Sequence, residues 1–117
     1  MVTKWSKEIG VGITVCDTDG IILWMNDLAA KIFRKSGGIE LIGKSLEICH
    51  PPSAYKKILE LFEKKEPYCY TVEISGSKSM LYQSPWYEEG NFMGFVEFIY
   101  TLPEEIPNLT EIHWVKK

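Results

Sequence analysis

Cysteine is scarce in this sequence: Cys16, Cys49 and Cys69 are the only three, and no two of them form a CxxC pair. Their odd number and wide spacing argue against a disulfide framework and fit reduced thiols in a cytoplasm. No run of about 18 apolar residues occurs, so no membrane-spanning helix is expected. Met1 to Glu8 carries Lys and Trp but no long apolar stretch, so no secretory signal is expected either. Without an export signal, the sequon Asn108-Leu109-Thr110 reads as a chance match. Charge of one sign is concentrated nowhere. The net charge is −3 and the pI about 5.4, which leaves no basic surface for nucleic acid. Glycine-rich phosphate loops, HExxH, GxSxG and paired metal motifs are all missing.

What is present suits a single folded unit. The 117 residues match one domain and are too few for two independent cores. With 45% hydrophobic and 13% aromatic residues, the chain can close a core without metal or disulfide and wall a pocket. The expected organisation is one domain over 1–117, with a core at about 9–102 and a tail over 103–117.

Gly12 to Cys16 is a β-prone run, and Asp17-Thr18-Asp19-Gly20 supplies turn chemistry before a second run, Ile21 to Met25. Two such runs across an Asp-Gly turn read as a hairpin. Asn26-Asp27 can cap a helix whose stripe is Leu28, Ala29, Ile32 and Phe33, ended by Ser36-Gly37-Gly38. A short helical piece fits Gly43 to Cys49, and His50-Pro51-Pro52 interrupts it. Ser53 to Lys65 is the clearest helix, with Tyr55, Ile58, Leu59 and Phe62 on its apolar face. It is the natural cover for a sheet.

Beyond Pro67 the pattern has period two. Tyr68, Tyr70, Val72 and Ile74 alternate with polar residues, then Met80, Tyr82, Ser84 and Trp86 alternate with Leu81, Gln83, Pro85 and Tyr87. Phe92 to Tyr100 forms the last strand. Pro85 lacks an N–H and so requires a free sheet edge or a bulge. The order β, β, helical pieces, β, β, β predicts an α+β fold: a five-stranded antiparallel sheet with helices on one face.

Three segments in this order and spacing resemble a PAS domain. They are Ile13 through Asn26, then Ile42-Gly43-Lys44-Ser45-Leu46, then Ser84 through Gly94. The resemblance spans roughly Glu8 to Leu102. Cys49-His50-Pro51-Pro52 is similar to a PAS subgroup in which His-Pro-Pro precedes the long helix. The C-terminus departs from the family. In place of an Asp-Ile-Thr step into a signalling helix stands Thr101-Leu102-Pro103-Glu104-Glu105-Ile106-Pro107, whose prolines would break such a helix. With 15 residues after Leu102, no effector domain is expected.

The resemblance implies a sensory or signalling role and a cavity between sheet and long helix. On the strand phases above, Tyr70, Val72, Tyr82, Ser84, Trp86, Val96 and Phe98 line its sheet side. Phe33, Leu46, Tyr55, Ile58, Leu59 and Phe62 line its helical side. Such an enclosure suits a small hydrophobic or aromatic ligand, although the same side chains also serve as plain core packing. His50 offers an imidazole for haem, which some PAS domains hold through a helix histidine, or a ring nitrogen that fixes the turn. Cys49 and His50, as neighbours on a helix or strand, are expected to point apart, so no catalytic dyad and no enzyme activity are expected. Leu46 to His50 is also unlike the cysteine setting of light-sensing flavin relatives.

The opposite phase places Leu81, Phe95 and Ile99 on the outer sheet face beside Glu73, Gln83 and Glu97. That apolar surface calls for a cover: the segment with Trp5, the tail with Trp114, or a second copy. Sheet-face pairing is frequent among PAS domains, so the expected assembly is a homodimer, with a signalling protein as a further partner. The sensor reading expects a cavity of roughly a few hundred Å³. A pure interaction module expects a closed core.

Overall fold

The computed structural model describes residues 4–110. A single helical turn, α1 (Lys4–Lys7), leads into β1 (Gly12–Cys16) and β2 (Ile22–Met25). The turn between them is closed by the Asp17 carboxylate, which accepts from the backbone N–H of Asp19 at 2.9 Å and of Ile21 at 3.0 Å. Gly20 takes the left-handed conformation (φ +76°) that the return strand demands.

Asn26 starts α2 (Asp27–Ile32) as its N-cap, accepting from Ala29 N at 3.0 Å. The same oxygen accepts from Ile13 N at 2.9 Å, and the amide donates to the carbonyls of Ser6 at 2.9 Å and Val11 at 2.7 Å. One fully buried side chain thus ties α1, β1 and α2 together. Three short 3-10 turns follow: Arg34–Ser36, Gly38–Leu41 and Leu46–Cys49. Between the last two, the chain runs beside β2. Ile22 N donates to Lys44 O, Gly43 N to Ile22 O and Leu46 N to Gly20 O.

The long helix α3 (Pro52–Lys64) begins with proline in its first turn, where no donor is lost, and ends on Lys65 in the left-handed region (φ 54°). Three strands complete the sheet: β3 (Tyr68–Ile74), β4 (Ser77–Glu88) and β5 (Asn91–Thr101). The order is β2-β1-β5-β4-β3, with every neighbouring pair antiparallel. The helices gather on one face, giving the expected α+β architecture. Pro85 sits where β3 has already ended at the Tyr68–Gln83 pair, so β4 has a free edge there and no donor is missed.

Two expectations fail, both on which face is buried. On α3, Leu59 is 52% exposed while Leu61 is 6% exposed. The buried stripe is Ile58, Leu61 and Phe62, because Leu59 and Leu61 lie on opposite sides of a helix and only one can meet the sheet. On β4 and β5 the phase is inverted. Leu81, Phe95 and Ile99 are 6%, 5% and 2% exposed and lie under the helices. A Cβ on Gly12, the partner of Ile99, would meet Ile99, Ile32 and Ala29, which identifies that face as the α2 side. The outer face instead carries Tyr82, Ser84 and Phe98. It is reached by pairing Tyr82 with Phe98 and Ser84 with Val96. Trp5 is exposed rather than packed as a cover, and Trp114 lies outside the described residues. Among the described residues, no helix is long and apolar enough to cross a membrane.

Candidate functional site

Two buried clusters fill the space beneath the helices. Ile22, Met25, Ala29 and Leu41 form one, with Phe33, Leu46 and Cys49 packed against it. Cys16, Leu61 and Phe95 form the other, with Leu46, Phe62 and Phe92 around them. Phe62 lies 4.7 Å from Phe95, centroid to centroid, and meets Phe92 edge-on at 6.3 Å. Where the clusters meet, a cavity of about 30 Å³ remains. That is room for about two water-sized groups.

Its walls are mostly hydrocarbon and its floor is polar. Gln83 and Glu97 face each other across β4 and β5, and Gln83 Nε2 donates to Glu97 Oε2 at 3.0 Å and to the Tyr70 hydroxyl at 3.4 Å. Removal from water raises the Glu97 carboxyl above its ordinary value, against the opposing pull of the Gln83 hydrogen bond and the His50 charge. Burial, and then the Glu97 charge, push the Tyr70 phenol up to about 12. Burial pushes the Cys16 thiol up to about 11.

His50 stands at the opposite wall because the Leu46–Cys49 turn ends there in extended backbone. Its Nδ1 lies 2.8 Å from the Leu46 carbonyl oxygen, which can only accept, so Nδ1 carries a proton and donates it there. The Cys49 sulfur lies 3.3 Å from the same Nδ1, so these neighbours do converge, contrary to expectation. They make no nucleophile–base pair, however. Nδ1–H is committed to Leu46 O, and burial raises the thiol.

Of the residues expected at a pocket, Phe33, Leu46, His50, Ile58, Phe62 and Val96 border this cavity. Tyr70 reaches only Gln83 at its rim, on the phase predicted for β3. Tyr55, Leu59, Val72, Tyr82, Ser84, Trp86 and Phe98 do not border it. Trp86 instead donates its indole N–H to the Cys16 carbonyl at 3.1 Å. Its strand partner is Gly94, where a Cβ would collide with that same carbonyl. Phe95, assigned to the outer face, is a wall residue, and Thr14, Gln83 and Glu97 were missed as pocket polar groups. The sequence carries no clear signal for them, because both phases hold large apolar side chains: Leu81, Phe95 and Ile99 on one, Met80, Trp86 and Phe98 on the other.

Haem does not fit this site. A macrocycle needs roughly 300 Å³ or more against about 30 Å³ here. Among the described residues, no group of three or more His, Cys, Asp or Glu side chains is placed to hold a metal ion.

No family model matches the chain, and no curated protein sequence matches it. Solved structures do. The PAS domain of Bordetella pertussis BvgS superposes with a TM-score of 0.64 at 16% identity, over 85% of this chain and 82% of that one. The PAS domain of the histidine kinase ThkA does so at 0.63 and 20%, over 79% and 99%. A structure of the Vibrio cholerae receptor Aer2, described as a dual PAS-haem oxygen sensor, matches at 0.59 and 13%, over 80% and 95%. The strand order, the helical layer and these superpositions together define a PAS fold.

Proposed function

We propose that this chain is a non-catalytic sensory domain of the PAS type, which binds a small molecule in the cavity beneath α3 and signals through protein contacts. The observation that carries the reading is the cavity with its Gln83–Glu97 floor and its His50 wall. A core with no task beyond packing would fill these positions with hydrocarbon and avoid the desolvation of a carboxylate. The likeness to a PAS domain of a histidine kinase and to an oxygen-sensing receptor supports a signalling role. The His50-Pro51-Pro52 run, which sets the entry into α3, supports placement in the His-Pro-Pro subgroup. The outer sheet face, now Tyr82, Phe98 and their neighbours, is the surface for a second copy of the chain or a signalling partner. A cytoplasmic setting suits the unpaired cysteines.

The volume sharpens this reading. At about 30 Å³ the cavity suits a ligand of very few heavy atoms, so of the small hydrophobic or aromatic ligands expected from the sequence only the smallest are compatible. The same tightness favours a second reading, a ligand-free interaction module. Amide spectra of the wild-type protein, recorded against a panel of small cations, anions and neutral solutes, separate the two. Saturable shifts at Glu97 and His50 that extend to Tyr82 and Phe98 support the sensor. Silence across the panel, together with a stable dimer by sedimentation, supports the module.

A further inference from the structure

Two acceptors at the cavity are left without a donor. Gln83 Nε2 is already engaged with Glu97 and Tyr70. The second Glu97 oxygen and Gln83 Oε1 accept no hydrogen bond among the described residues. They are not sealed in, because no fully buried side-chain oxygen or nitrogen among those residues lacks a partner. They therefore keep contact with free space. The Thr14 hydroxyl, also on the wall, makes no hydrogen bond among the described residues. No Lys or Arg borders the space. An anion brought here would face the Glu97 carboxylate, and a neutral hydrocarbon would leave the acceptors unpaired.

We infer that the cavity is a site for a small protonated amine, whose N–H groups satisfy Glu97 and Gln83 while its carbon rests on Phe62, Phe95 and Leu46. This deepens the sensory reading and rests on it. The available volume, about 30 Å³, suits a head group of about two heavy atoms, such as methylammonium. So few atoms limit the affinity to roughly millimolar at best.

The test is a titration of the wild-type protein followed by amide spectra at constant ionic strength. The probes are methylammonium chloride, potassium chloride, sodium acetate and methanol. Saturable shifts at Gln83, His50 and Glu97 with methylammonium alone are expected. Glu97→Gln, shown to be folded by its melt, should weaken that binding by roughly tenfold to a hundredfold. Equal binding of potassium would show that charge rather than N–H donors is read, and would overturn the assignment. Saturable binding of acetate or methanol in place of the amine would overturn it while leaving the sensor reading intact. No saturable response to any probe would overturn both. If the variant does not fold, selectivity among the four probes on the wild type decides.

Discussion

Asn26 and Glu97 are both polar side chains set beneath the helical layer, and they are treated in opposite ways. Asn26 accepts two hydrogen bonds and donates two, joining α1, β1 and α2, and its amide cannot ionise. Every capability is used, so the β1–β2–α2 end is locked. Glu97 receives one hydrogen bond from Gln83, carries an ionisable group whose protonation burial favours, and faces free space. A buried network stabilises when it is complete and is costly when it is open. On this count the Glu97 region is the less stabilised of the two.

The largest break of this comparison is Asn26→Ala. It leaves the N–H groups of Ile13 and Ala29 and the carbonyls of Ser6 and Val11 without their partner. A loss of about 3 to 5 kcal/mol in urea unfolding is expected. A loss below about 1 kcal/mol would show that water replaces the amide and that the end is not locked by it.

Next in size is the contrast between two leucines on α3. Leu61→Ala should cost about 2 to 4 kcal/mol, because it opens space beside Phe95 and Cys16. Leu59→Ala should stay within about 0.5 kcal/mol, as an exposed position. Equal losses in the same unfolding experiment would mean that α3 is rotated relative to the arrangement described here.

Smaller still is the effect of Glu97→Gln, and its sign depends on pH. The folded state holds the proton on Glu97 more tightly than the unfolded chain does. The Glu97 contribution to stability is therefore fully present below the ordinary glutamate value of 4.5 and is lost as pH rises through the raised folded value. The glutamine variant lacks this loss. Its melting temperature should match the wild type near pH 4 and exceed it at pH 7. A gap that stays constant with pH would show that Glu97 does not titrate differently on folding.

The smallest effect leaves stability untouched and reads access alone. Cys69 is exposed, Cys49 partly buried with a raised thiol, and Cys16 buried with its thiol pushed up to about 11. Alkylation at pH 8, followed by peptide mass, should modify Cys69 first, Cys49 more slowly and Cys16 last. Early labelling of Cys49 would reveal opening of the cavity wall at the Leu46–Cys49 turn.

Much of this fold is written in local chemistry. The Asp17–Gly20 turn, the Asn26 cap, the proline start of α3 and the Ser75-Gly76 reversal each depend on residues within a few positions of one another, so the element order was legible. The cavity was only partly legible, and the reason is the sheet. Both phases of β4 and β5 carry large apolar side chains, so period two identifies a strand without saying which side is buried. Tyr70 and Val72 were assigned to the helix side, which the β3 register supports, yet Leu81, Phe95 and Ile99 were assigned to the wrong face.

By itself, then, the sequence determined the secondary structure, the α+β class and the meeting of His50 with the start of the long helix. Those features follow from short-range sterics, capping and turn geometry. Only the tertiary structure decided that Gln83 and Glu97 lie together under α3, that Leu61 rather than Leu59 is buried, and that the cavity is small. Each of these depends on which face of an element meets a partner distant in the chain. That choice is made by the packing of all the faces at once.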